Sequence, residues 1–91
     1  MKSQNVFFEY NGQRISYREA QVLLCCAKGM TKAQTADLLC VSYSTVKAHH
    51  EHLRTRFKLK GYHAFDCFAN KLFVEFEKSV ELPTEIGSST N

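Results

Sequence analysis

The sequence predicts an all-α fold of four helices behind a short N-terminal extended arm or hairpin, and three observations carry that prediction. Capping residues precede three apolar-periodic segments, at Ser16, Thr31 and Ser42; glycines stand where the first and third of those segments should stop, at Gly29 and Gly61; and residues 61–80 place most of their large apolar side chains on one side of a helix. The chain of 91 residues, 44% hydrophobic, suits a single small domain, which buries a smaller fraction of its surface than a larger protein and gains from a partner.

The arm covers residues 1–14. VFFEYNGQRI sets β-favouring aromatics around Asn11-Gly12, a pair that tolerates positive φ at both centres of a type I′ turn. The core follows over 15–60. Ser16 and Glu19 have capping-box spacing, which starts a first helix whose inward stripe is Val22, Leu23, Cys26 and Ala27 and whose end falls near Lys28. Thr31 and Gln34 repeat the box and open a short helix from Lys32 to Leu39. Ser42 then caps a third helix, about 43–59, in which Val46, Leu53 and Phe57 fall within about 40° of one another. Ser44, Lys47, Glu51, Arg54 and Lys58 form a separate, outward stripe. A short helix, a tight turn and a longer helix with a free polar flank is the pattern of a helix-turn-helix. A helix over 61–80 and a polar, mobile tail over 81–91 complete the chain.

Charge is unevenly spread. Residues 1–42 carry five bases and three acids, 43–60 five and one, and 61–91 two and five, so the net +3 resolves into +2, +4 and −3. The basic segment suits a polyanion, because each phosphate it neutralises releases condensed counterions. The four cysteines, Cys25, Cys26, Cys40 and Cys67, show no CxxC spacing and are expected to be reduced thiols, with Cys26 in the apolar stripe and Cys25 off it. His49, His50 and His52 point apart on one helix, so no metal site is expected there, and no cofactor. No nucleophile, base and orienting partner stand at a recognisable spacing, so enzymatic activity is not expected. The sequence also lacks an apolar run of ~20 residues and a signal-peptide core, so a cytoplasmic location and no membrane contact are expected.

ISYREAQVLLCCAKGMTKAQTADLLCVSYSTVKAHHEHL resembles the LuxR/NarL-type DNA-binding domain of bacterial transcription regulators. Arg18-Glu19, Val22-Leu23, Ala27, Gly29, Thr31, Ala36, Leu39, Val41, Ser42 and the run Thr45-Val46-Lys47-x-His49 carry the likeness, over residues 15 to about 66. Tyr17 where the family often has Pro, Lys32-Ala33-Gln34 where Asn-Lys-Glu is common, and Thr35 where an Ile usually packs depart from it. The resemblance implies a four-helix domain with its third helix in the major groove of double-stranded DNA and its fourth often used for dimerisation. With the outward stripe, it points to Thr31, Ser42, Ser44, Thr45, Lys47, Ala48, His49, Glu51, Arg54 and Lys58 as DNA-binding residues, with Lys47 on a base or phosphate; Glu51 can accept from cytosine N4 or, as its i, i+4 spacing favours, pair with Lys47. Relatives usually add a receiver or ligand-binding domain, for which fourteen preceding residues are too few, so regulation through abundance, through a partner, or none at all is expected.

Residues 61–80 carry a second expectation. Tyr62, Phe65, Phe68, Ala69, Leu72, Phe73, Phe76 and Val80 share one helical arc, whose first half should cover the domain's own core. Phe73, Phe76 and Val80 run past it and should form an exposed apolar patch, so a homodimer is expected through Phe65, Phe68, Ala69, Leu72, Phe73 and Phe76. The acidic C-terminal portion leaves two expectations open, contact with RNA polymerase or another regulator, and a tail that is only solvated. The competing expectation is a protein-interaction module that keeps the fold but binds and inhibits another transcription regulator.

Overall fold

The computed structural model describes residues 7–82, apart from the side chains of Phe7 and Tyr62; the first six residues of the expected arm, and the expected tail from residue 83 onward, lie outside the described residues. Two strands, β1 (Phe7–Tyr10) and β2 (Gln13–Ser16), precede four helices, α1 (Tyr17–Ala27), α2 (Lys32–Leu39), α3 (Tyr43–Phe57) and α4 (Gly61–Glu77). The strands pair antiparallel from Phe7 opposite Ser16 to Tyr10 opposite Gln13. Asn11 and Gly12 turn the chain with φ of 53° and 79°, the left-handed backbone that an asparagine-glycine pair adopts at little cost.

Local polar chemistry sets the helix ends. Ser16 Oγ accepts from the Glu19 amide at 3.1 Å and Glu19 Oε1 accepts from the Ser16 amide at 3.0 Å, closing the first capping box. Thr31 and Gln34 close the second, at 3.0 and 2.9 Å. At the other end of α1, Gly29 with φ 83° lets the Met30 amide reach back to the Cys25 carbonyl at 3.0 Å, a Schellman ending. The same ending closes α2 at Cys40 and α3 at Lys58, each in the left-handed region without being glycine. Hence α3 stops at Phe57, short of the expected 59: Lys58 reverses the backbone so that the Leu59 amide bonds the Arg54 carbonyl at 2.9 Å.

α4 packs chiefly on α1, and α3 on α2. One cluster joins Ile15, Ala20, Leu23, Leu24, Leu53, Phe65, Phe68, Ala69, Leu72, Phe76 and Val80; a smaller one joins Val22, Ala36, Leu39 and Val46. Two expectations are corrected here. Cys25, not Cys26, is fully buried, because α1 meets α2 on one side and α4 on the other and the buried arc is wider than the stripe of Val22 and Leu23. Cys26 is half-buried and donates from Sγ to Asp66 Oδ1 at 3.2 Å.

The second correction concerns α4. It ends at Glu77 rather than at 80, and Phe65, Phe68, Ala69, Leu72 and Phe76 are buried in the chain's own core, with Phe73 half-buried. The hairpin, expected to pack on the body, covers this part of α4: Phe8 lies 4.8 Å from Phe76 between ring centres, and Tyr10 lies 5.6 Å from Phe68. Beyond α4 the chain folds back over α1. Val80 is buried, the Glu81 amide donates to Tyr17 Oη at 2.9 Å, and Gln21 Nε2 donates to the Glu81 carbonyl at 2.8 Å. Those side chains claim the backbone that would have continued the helix.

Candidate nucleic-acid interface

α3 is fixed from behind. Val46, His50 and Leu53 are buried and Phe57 is half-buried, positions spaced 4, 3 and 4 residues apart and so on one side of the helix. The His50 ring stacks on Phe65 at 4.5 Å with 15° between planes. Burial, helped by the nearby charges of Lys32 and Arg54, pushes its pKa down to about 4, so at neutral pH it packs as an uncharged aromatic ring.

The opposite flank is open. Ser42, Ser44, Thr45, Lys47, Ala48, Glu51 and Lys58 are exposed, as is Thr31 at the start of α2, while His49 and Arg54 are half-buried. Ser42 Oγ accepts from the Thr45 amide at 3.1 Å and stands 3.2 Å from Ser44 Oγ and 2.9 Å from Thr45 Oγ1. Three hydroxyls thus gather at the N-terminus of α3, where free amides and the helix dipole favour an anion. The expected pairing of Glu51 with Lys47 is not formed; among the described residues neither side chain has an ion-pair partner. Both are solvated, and an exposed pair four residues apart gains only a few tenths of a kcal/mol, too little to hold two long side chains together.

Arg56 is withdrawn from the basic segment. Its guanidinium donates from Nη1 to Glu19 Oε1 at 2.7 Å and to the Arg14 carbonyl at 3.0 Å, and from Nη2 to Glu19 Oε2 at 3.1 Å. Burial alone would raise the Glu19 pKa, but the Arg56 and Ser16 hydrogen bonds and the Arg56 charge hold it below 4.5. One carboxylate therefore ties together the end of the hairpin, the first turn of α1 and the last turn of α3. His49 faces the same carboxylate; its Nδ1 is enclosed with no hydrogen-bond partner among the described residues, and burial lowers its pKa.

Two residues of α3 escape the sequence reading. His50 carries its own signal, since it stands on the Val46, Leu53, Phe57 side and only its polarity argues against the core. Tyr43, 53% exposed at the first position of α3, sits beside the hydroxyl group of residues. Among the described residues no three His, Cys, Asp or Glu converge on a metal position, and no helix is long and apolar enough to cross a membrane. Residues 13–66, more than half of the chain, match the family model described as GerE, bacterial regulatory proteins, luxR family. No curated protein and no solved structure matches.

Proposed function

The chain belongs to the luxR family of bacterial regulatory proteins, a helix-turn-helix, DNA-binding domain of transcription regulation, and from that premise we propose that it reads specific sequences in double-stranded DNA as a homodimer, with α3 in the major groove. One observation carries the reading: the flank of Ser44, Lys47, Ala48 and Glu51 is exposed along α3 while Val46, His50 and Leu53 anchor the helix from behind. A groove about 12 Å wide admits a helix only when one side of it is free.

Each residue then has a role set by its chemistry. Lys47 meets a base edge or a phosphate, Ala48 offers an apolar contact to a base methyl, and Glu51 accepts from cytosine N4. Ser42, Ser44, Thr45 and Thr31, beside helix N-termini, hold backbone phosphates, and Arg54, Lys58 and His49 contact the phosphate backbone along the rest of α3. The homodimer uses the solvent-facing stripe of α4, where Val74 is 60% exposed, with the half-buried Phe73 at its margin, because the aromatic side of that helix is occupied. A twofold axis there gives two recognition helices and a symmetric operator.

The test is a salt series on sites selected from a random duplex library. Affinity should fall steeply with ionic strength, and Lys47→Ala should weaken binding by about 1–3 kcal/mol or lower the salt slope by about one, according to whether the lysine meets a base or a phosphate. Selected sites should be palindromic, and the chain should sediment as a dimer. The second reading, a module that binds and inhibits another regulator, draws on the unpaired carboxylate of Glu51 and the loss of Arg56 from the basic flank. Failure to bind any duplex, beside tight binding to a regulator from the same cell, would replace the first reading by the second.

A further inference from the structure

The outward stripe of α4 contains a pair of side chains that the DNA reading does not use. His63, Cys67, Asn70 and Val74 are exposed, and at 100° per residue they fall within about 60° of one another, opposite the buried arc. Cys67 Sγ stands 3.7 Å from His63 Nε2. A tetrahedral zinc ion, with sulfur at about 2.3 Å and imidazole nitrogen at about 2.0–2.1 Å, holds two such donors about 3.5 Å apart. Two ligands four residues apart on one helix face a common ion, so the pair stands close to the geometry of bidentate ligation.

Two donors fill half of a zinc shell. Asp66, the carboxylate adjacent in sequence, is turned away to accept from Cys26 Sγ at 3.2 Å, and Asn70 Nδ2 donates to the Asp66 carbonyl at 2.9 Å. Cys25 is buried and Cys26 is engaged by Asp66, and burial raises the thiol pKa of the first and, together with Asp66, pushes that of the second up to about 12. Among the described residues no third His, Cys, Asp or Glu joins the pair, so the two further donors are sought in a second molecule. A second copy supplies them in matching kind if the two α4 stripes face each other, the same contact on which Val74, one turn beyond Asn70, lies 60% exposed.

We propose that His63 and Cys67 form half of a Cys2His2 zinc site, which the same pair of a second copy completes across α4. The inference rests on the homodimer reading above and deepens it. On binding, each Cys67 thiol releases its proton to solvent as its Zn–S bond forms, two thiolates neutralise the dication, and two neutral imidazoles complete the shell. The nitrogen and sulfur donors select zinc and cobalt over magnesium and calcium.

The full chain, stripped with EDTA, would be titrated with Zn2+ alone and with Co2+ as the coloured probe. Expected are saturation at one metal per two chains, a thiolate-to-cobalt charge-transfer band, and a dimer dissociation constant at least tenfold lower by sedimentation. Cys67→Ser and His63→Ala should each abolish all three, with unchanged far-UV circular dichroism because both side chains are exposed, whereas Cys40→Ser, which removes another exposed thiol, should abolish none. No saturable binding, saturation at one metal per chain without tighter association, or binding that survives Cys67→Ser would overturn the site. A dimer that persists in EDTA but takes up no metal removes this inference and leaves the homodimer standing. A chain that stays monomeric with and without metal removes both, and duplex binding measured in EDTA reports on the DNA reading alone.

Discussion

The cluster that joins α1, α4 and the hairpin buries three aromatic rings, Phe65, Phe68 and Phe76, among branched side chains and packs five more rings at its edge, whereas the cluster under α2 and α3 consists of Val22, Ala36, Leu39 and Val46 with Val41 and Leu82 at its edge. The first is held by long-range apolar burial. The second is too small for that, and the half of the molecule that carries the proposed DNA contacts relies more on local polar devices: the Thr31–Gln34 box, the Ser42 cap and two Schellman endings. The difference teaches that one small domain can separate the part that stores stability from the part that presents a surface, so substitutions in the two halves should act on different scales.

Phe65→Ala gives the sharpest test of that contrast. The ring is 2% exposed, between the large cluster and His50, and its loss should destabilise by about 3–5 kcal/mol, a large share of the roughly 5–15 kcal/mol of a typical domain. A urea unfolding curve reads it directly, and a loss under ~1 kcal/mol would erase the distinction.

Acid should attack the joint between the halves. His50 has a folded pKa of about 4 against an ordinary 6.5, so the unfolded chain takes up the proton first. Its contribution is complete above pH 6.5 and drains as pH falls towards 4, by roughly 3 kcal/mol in all at about 1.4 kcal/mol per pH unit. Glu19 acts in the same direction but lower down: its carboxylate is held below 4.5, so what the Arg56 pair contributes is present above that value and lost below it. Thermal melts from pH 7 to 4 should show the first loss, and His50→Phe should flatten it. A wild-type melting temperature constant across that window would contradict the buried neutral ring.

The smallest effect belongs to a cap. Thr31→Ala removes one acceptor from the first turn of α2 and should cost about 1 kcal/mol, with faster amide exchange at Gln34 and little change in α4. Loss of protection spread evenly over all four helices would mean that the two halves do not separate.

What could be read from the sequence divides along the same line. Helix starts at Ser16, Thr31 and Ser42, the turn at Asn11-Gly12 and the exit at Gly29 are set by groups within five residues of each other, and they stand where the pattern puts them. The Arg56–Glu19 pair spans 37 positions, and the hairpin's cover over Phe68 and Phe76 spans nearly sixty or more, distances at which no periodicity speaks. Of the candidate DNA contacts, the exposed stripe of α3 followed from its angle to Val46, Leu53 and Phe57. That Arg56 is taken up elsewhere and that His50 faces inward depended on which elements meet α3. Two departures from the family pattern acquire physical roles as well: Tyr17 Oη receives the Glu81 amide, and Thr35, 1% exposed, donates from Oγ1 to the Thr31 carbonyl at 2.8 Å.

The return of residues 80–82 over α1 has a mechanical meaning. Leu82 touches both apolar clusters, and Glu81 is clasped by Tyr17 and Gln21, so the segment works as a stitch across the seam between the storing half and the presenting half. Any load pulling on the chain beyond it, whether from a bound machine or a fused partner, would be felt first at α1 and at the seam, and would reach α3 only after the stitch had been drawn out.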